Sequence, residues 1–173
     1  AKIKIQDEEV LIKKSLNRVV SKDIISPSDH PLADNAAFDG FAVNFKDTKD
    51  LNKKKLKQFK IVGSIAAGNK PYGKKVKKFD TIEIMTGGII SKPFNTIIPV
   101  EKINFFPNKK NPKSIIIDHK ITKNNHVRFK GSDYKKGQLV IKKGTVIQAN
   151  HILALKTLGV KKIKVKKKIK IEK

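Results

Sequence analysis

From Phe59 to Ile117 the apolar residues fall in short, mostly β-branched runs, each closed by turn-forming residues. Phe59-Lys60-Ile61-Val62-Gly63-Ser64-Ile65 runs into Ala66-Ala67-Gly68-Asn69-Lys70-Pro71. Thr81-Ile82-Glu83-Ile84-Met85 alternates and stops at Thr86-Gly87-Gly88. Thr96-Ile97-Ile98-Pro99-Val100 and Ser114-Ile115-Ile116-Ile117 follow. Runs this short, bounded this way, fold as strands. Pro99 cannot donate to a ladder, so its strand is expected at an edge or a bulge. Pro107 to Pro112 reads as an exposed hairpin loop.

The flanks have a different rhythm. Residues 7–22 are expected to be helical, with Asp7 as N-cap and Glu8 and Glu9 in the first turn. Ile12, Leu16, Val19 and Val20 then share one helical face, before Pro27 and Pro31 break the pattern. Residues 47–57 are lysine-rich and turn-like. Leu139-Val140-Ile141 and Thr145-Val146-Ile147 are expected to form a hairpin around Lys142-Lys143-Gly144. Asn150 is expected to cap a helix carrying Ile152, Leu155 and Leu158, ended by Gly159. Ile163, Val165, Ile169 and Ile171 alternate with lysines as a half-buried strand. The expected fold class is mainly β with a few short helices (α+β). A β-barrel-like module over 46–124 is expected inside a discontinuous, elongated domain of 1–45 and 125–173.

The chain has 173 residues with Lys+Arg 40 and Asp+Glu 15, a net charge of +25. Such an excess favours polyanions. The kind of base argues for less. Arg18 and Arg128 are the two arginines and the rest are lysines, which are point charges without a bidentate fork. Aromatic residues are 6%, so stacking platforms are few. Binding to nucleic acid is expected to be nonspecific only. There is no cysteine, which excludes a disulfide framework, a zinc–thiolate site and a thiol nucleophile. No apolar run approaches a membrane span, and Ala1-Lys2-Ile3-Lys4 lacks the apolar core of a signal peptide. No membrane association and a cytoplasmic location are expected.

Three stretches are polar and glycine-rich beyond the needs of a strand core. In Asp34-Asn35-Ala36-Ala37-Phe38-Asp39-Gly40-Phe41-Ala42, Asp39 either projects into a cleft or closes a local Asx-type turn. In Ile84-Met85-Thr86-Gly87-Gly88, a hydroxyl and two glycine amides suit an anion, or make a plain turn. In Arg128-Phe129-Lys130-Gly131-Ser132-Asp133, with Gly137 beyond, Arg128 and Asp133 flank a turn as site residues or as an ion pair.

In this order the three stretches resemble the N-terminal region of the molybdopterin molybdenumtransferase family (MoeA and the gephyrin E domain). The first is similar to that family's D-N-S-A-M-D-G-Y-A signature. The second, extended to Glu101, is similar to T-G-A-P-L-P-x-G-A-D-x-V-V-x-x-E. The third is similar to N-x-R-x-x-G-x-D-x-x-x-G. Leu16-Asn17-Arg18-Val19-Val20, Ala66-Ala67-Gly68 and Leu155-Lys156-Thr157-Leu158-Gly159 agree as well. The departures are Ala36, Phe38 and Phe41 in the first motif, Ser91-Lys92-Pro93-Phe94-Asn95 in the second, and Ser132 in the third. The resemblance implies bifurcated and coiled β-sheets with the inserted barrel-like module. It covers nearly the whole chain but only the family's N-terminal part, so the pterin-binding and C-terminal domains are expected to be absent.

The resemblance further implies molybdenum cofactor biosynthesis: insertion of molybdate into adenylated molybdopterin with Mg2+, at a homodimer cleft. Asp39, Asp133, Thr86 and Glu101 are the implied catalytic residues. Thr86, Gly87, Gly88 and Arg128 are the implied binders of an oxyanion or pterin phosphate. Asp39 and Asp133 are the implied magnesium ligands, since hard cations prefer carboxylate oxygens. The chain by itself is expected to be incomplete and inactive, relying on a pterin-binding domain in the full-length chain or in trans. The alternatives are a non-catalytic interaction or dimerisation module of the same fold, and a basic nucleic-acid-binding β protein.

Overall fold

The computed structural model of the chain describes residues 5–169. The expected strand position Ile171 lies outside them. In chain order the strands are β1 (Asp7–Leu11), β2 (Ile24–Ile25), β3 (Asn35–Ala36), β4 (Gly40–Val43), β5 (Lys57–Ile65), β6 (Asp80–Ile84), β7 (Thr96–Pro99), β8 (Asn104–Phe106), β9 (Ser114–Ile117), β10 (Val127–Arg128), β11 (Leu139–Ile141) and β12 (Lys162–Lys166). One α-helix, α1, spans Ala149–Thr157, and short 3-10 turns lie at Ile12–Lys14, Phe45–Thr48 and Val100–Lys102. The fold is mainly β, as the run lengths predict.

Two compact units form. One is Ala33–Lys130; the other joins the chain up to Leu32 with the chain from Gly131 onward. The insert therefore takes more than 46–124. The reason is pairing: β4 is hydrogen-bonded between β6 and β7, and β3 pairs with β10.

The inserted unit is built on a six-stranded sheet in the order β7-β4-β6-β5-β9-β8, plus the β3–β10 pair. Strands β5 and β6 run parallel; the other neighbours are antiparallel. The sheet is an open, curled half-barrel with β7 and β8 at its edges, and Pro99 ends the edge strand β7. Side chains alternate between two cores, as the period of two requires. Phe41, Val43 and Ile98 enter one with Phe59, Ile115 and Ile117. Ala42, Ile82, Ile84 and Ile97 enter the other with Ile65 and Phe94. β4 is buried along its whole length. Gly40 opens it because a Cβ there would stand 2.1 Å from the carbonyl oxygen of Ile98 on β7. The β8–β9 hairpin closes through Lys113 N to Phe106 O at 2.9 Å, around the expected exposed loop.

In the unit formed by the ends, residues 7–11 are strand, not helix. β1 pairs antiparallel with β12, placing Glu8 opposite Val165 and Val10 opposite Ile163. Of the four residues spaced for a helical face, Ile12 and Val20 are buried, while Leu16 and Val19 are exposed. The 139–147 hairpin turns as expected, but its arms pair with the N-terminal segment: β11 with β2, and Val146 with Val19. α1 begins at Ala149 after Gln148, whose N–H donates to Nδ1 of His151. The Asn150 side chain instead accepts from the N–H of His151. Gly159 follows the helix at φ 71°, a position suited to glycine. β12 ends at Lys166, and Ile169 is exposed. Leu155, Ile163, Val165, Ile147 and Ile141 form this unit's core with Ile12 and Val20. Among the described residues, no helix is long and apolar enough to cross a membrane.

Candidate functional site

The first two glycine-rich stretches meet in the inserted unit. Asp39 ends the turn before β4, and Thr86 follows β6; the antiparallel pairing of Gly40 with Ile84 brings them together. Oδ1 of Asp39 accepts from the Thr86 N–H at 2.7 Å and from the Thr86 hydroxyl at 2.7 Å. This is a bridge between strands, not a local Asx turn. The two donors, the backbone N–H first, hold the Asp39 carboxyl below its ordinary pKa of 3.8 against a small desolvation effect. Asp39 is exposed, and Oδ2 takes no partner among the described residues.

The glycines that follow serve the fold. Gly87 adopts φ 80° and donates its N–H to Ala36 O, while the Gly88 N–H donates to Met85 O. Ala36 N in turn donates to Gly88 O, which locks the first motif onto the second. The amides of Thr86, Gly87 and Gly88 are thus all committed within the unit, as is the Thr86 hydroxyl. An oxyanion could take them only by displacing these bonds.

Glu101 lies exposed on the 3-10 turn after β7. That turn is tied to the site through Val100 N to Asp39 O at 3.2 Å. Arg128 is exposed at the end of β10, opposite Asn35. Asp133 belongs to the unit formed by the ends. There its carboxylate accepts from the Ser132 hydroxyl at 3.3 Å and has His30 Nε2 at 3.9 Å. The structure thus groups Asp39 with Thr86, Gly87, Gly88 and the Glu101 turn in one unit, and holds Asp133 in the other.

One residue at this site escaped the sequence reading. His126 has φ 55°, its carbonyl accepts from Ala37 N, and its ring meets Phe38 edge-on at 4.6 Å. Its Nε2 is buried without a hydrogen-bond partner. The available signal was its place two residues before Arg128 in the third motif.

Magnesium takes near-octahedral oxygen ligands, mostly waters and substrate phosphates with one or two carboxylates. Asp39, ionised and with Oδ2 open, fits one such position. Among the described residues no group of three or more His, Cys, Asp or Glu side chains is placed to hold a metal. The inserted unit thus offers a partial ligand set, not a cage.

The family model of the MoeA N-terminal region (domain I and II) matches residues 1–159. The chain belongs to this family. It is 30% identical over 156 residues to the molybdopterin molybdenumtransferase of Staphylococcus aureus, covering 90% of this chain and 36% of that protein. Against the Haemophilus influenzae molybdopterin molybdenumtransferase it is 28% identical over 167 residues, 96% of this chain and 39% of that one. A crystal structure of a molybdopterin biosynthesis MoeA protein from Pyrococcus horikoshii superposes with a TM-score of 0.84 at 30% identity, over 93% of this chain and 41% of that one. The MoeA N-terminal region thus accounts for the fold and for the order of the motifs, while this chain spans well under half the length of these relatives.

Proposed function

We propose that this chain acts in molybdenum cofactor biosynthesis as the N-terminal part of a molybdopterin molybdenumtransferase, forming one wall of the cleft where molybdate enters adenylated molybdopterin. The observation that carries the proposal is the Asp39 carboxylate: ionised, exposed, and fixed at one oxygen by Thr86. Family membership and relatives named for that transfer support the rest.

In this reading the Thr86 donors orient Asp39, and its Oδ2 faces the reactants as an acceptor. It would orient a water or a hydrated cation toward the adenylate phosphate. A bound magnesium ion would supply shielding of phosphate charge, with Asp39 as one ligand. Asp133 is proposed as a second acidic participant, and Glu101 as a further one reached through its turn. Arg128, with Thr86, Gly87 and Gly88 once their present bonds are displaced, is proposed to bind the oxyanion or pterin phosphate, favoured by the chain's excess of lysine. A homodimer, and a pterin-binding domain in the same chain or in trans, complete the proposal.

The same commitment of donors favours one second reading, a module that keeps the fold without catalysis. Asp39→Asn in the complete enzyme separates the two. The catalytic reading expects molybdenum insertion to fall by roughly a hundredfold with the fold intact. Near-normal cofactor yield would leave the module reading.

A further inference from the structure

We propose that a cleft on the inserted unit, formed where the chain departs most from its family's second motif, binds an organic phosphate: a phosphate ester on a flat apolar body. The cleft holds about 430 Å3. It lies between the end of β4, the Lys92-Pro93-Phe94-Asn95 segment and the strand region around Val127. The inference is independent of the reaction proposed above.

The cleft's polar lining consists largely of donors. Asn44 Oδ1 accepts the N–H of Lys46 at 3.1 Å, and Asn95 Oδ1 accepts the N–H of Phe45 at 2.9 Å. A backbone N–H demands the oxygen, so neither carboxamide can be flipped. Their NH2 groups therefore remain as donors, and both residues line the cleft. Asn124 also lines the cleft, and its backbone N–H donates to Thr96 Oγ1 at 3.1 Å. Lys46 and Lys92 add two ammonium groups. Asp34 is the acidic lining residue, and its Oδ1 accepts from Lys130 N at 2.8 Å.

The Asn44 and Asn95 NH2 groups and two ammonium groups offer more donors than a two-oxygen carboxylate can engage; the three outer oxygens of a phosphate ester match them better. The remaining wall is apolar. Phe129 is 45% exposed there, with Ile90, Pro93 and the buried Phe94 beside it. A concave site with an apolar wall and a few fixed polar groups is the usual form of a small-ligand site. Pro93, Phe94 and Asn95 stand where the family's second motif has G-A-D.

The test is a 15N NMR titration of the 173-residue chain with phenyl phosphate, inorganic phosphate and benzyl alcohol. Phenyl phosphate should shift the side-chain NH2 signals of Asn44, Asn95 and Asn124 saturably, and bind more tightly than either half-ligand. Asn95→Asp keeps the acceptor for Phe45 N–H but removes the donor and adds a charge. It should weaken binding by about tenfold or more. Lys92→Gln, at an exposed position, should weaken it too and serves as the test if Asn95→Asp disturbs the backbone spectrum. Equal binding of inorganic phosphate, shifts spread over all surface lysines, or indifference to both substitutions would overturn the proposal.

Discussion

Asp39 and Gly40 are neighbours with different tasks. Gly40 lets β4 approach β7, since any Cβ would press on the Ile98 carbonyl at 2.1 Å. Gly40→Ala should therefore destabilise the inserted unit by about 3 kcal/mol, read as a lower urea midpoint. Asp39 joins β4 to the Thr86 turn through a carboxylate whose pKa is lowered by the donors it accepts. A lowered folded value means the stabilisation is complete above the ordinary 3.8 and is lost as pH falls through the folded value. Asp39→Asn should thus be less stable than the parent near about pH 7, and the difference should shrink toward about pH 3. A gap that stays constant across that range would show that the carboxylate's charge contributes nothing to the bridge.

At the scale of elements, β1 shows how an ion pair and a partner strand override local pattern. Arg18, 9% exposed, donates to the Glu8 carboxylate of β1 and to the Lys166 carbonyl of β12 at 2.7 Å. Glu8 is held below its ordinary pKa, chiefly by that hydrogen bond. Asp7 is lowered in the same way by Lys166, whose Nζ lies 2.6 Å away. Arg18→Ala should lower the urea midpoint, because it leaves the Lys166 carbonyl without this donor. Arg18→Lys should recover only part of this, as one ammonium cannot reproduce the planar fork. Cα chemical shifts of residues 7–11 should carry the strand sign; a helical sign would contradict the β1–β12 register.

At the scale of the whole molecule, the net charge of +25 rests almost entirely on lysine. Of the two arginines, Arg18 is held between β1 and β12, and Arg128 is exposed on β10. Binding to duplex DNA should therefore be sequence-independent and fall by about a thousandfold between roughly 50 and 200 mM salt. A salt-resistant, sequence-selective complex, seen in the same titration, would instead identify a dedicated nucleic-acid surface. Asp39 and Asp133 lie in different units, and each changed alone to Asn in the complete enzyme is expected to lower molybdenum insertion.

Much of this was legible in the order of residues. The strands β5, β6, β7 and β9 follow from short β-branched runs closed by Gly, Pro and Asn, because a strand's alternation is a local property. The α1 segment and its glycine stop were equally local. The three motifs, in order, marked the family. What sequence could not supply was the choice of partner. Residues 7–11 read locally as the start of a helix, and pairing with β12 makes them a strand instead. The arms of the 139–147 hairpin reach for residues 19–25 instead of each other. Asp39 finds Thr86 across 47 residues, and the glycine amides that look ready for an anion are taken by Ala36 and Met85. Pairing between distant segments depends on which backbone donors and acceptors the folded chain brings within reach, and only the tertiary structure brings them together.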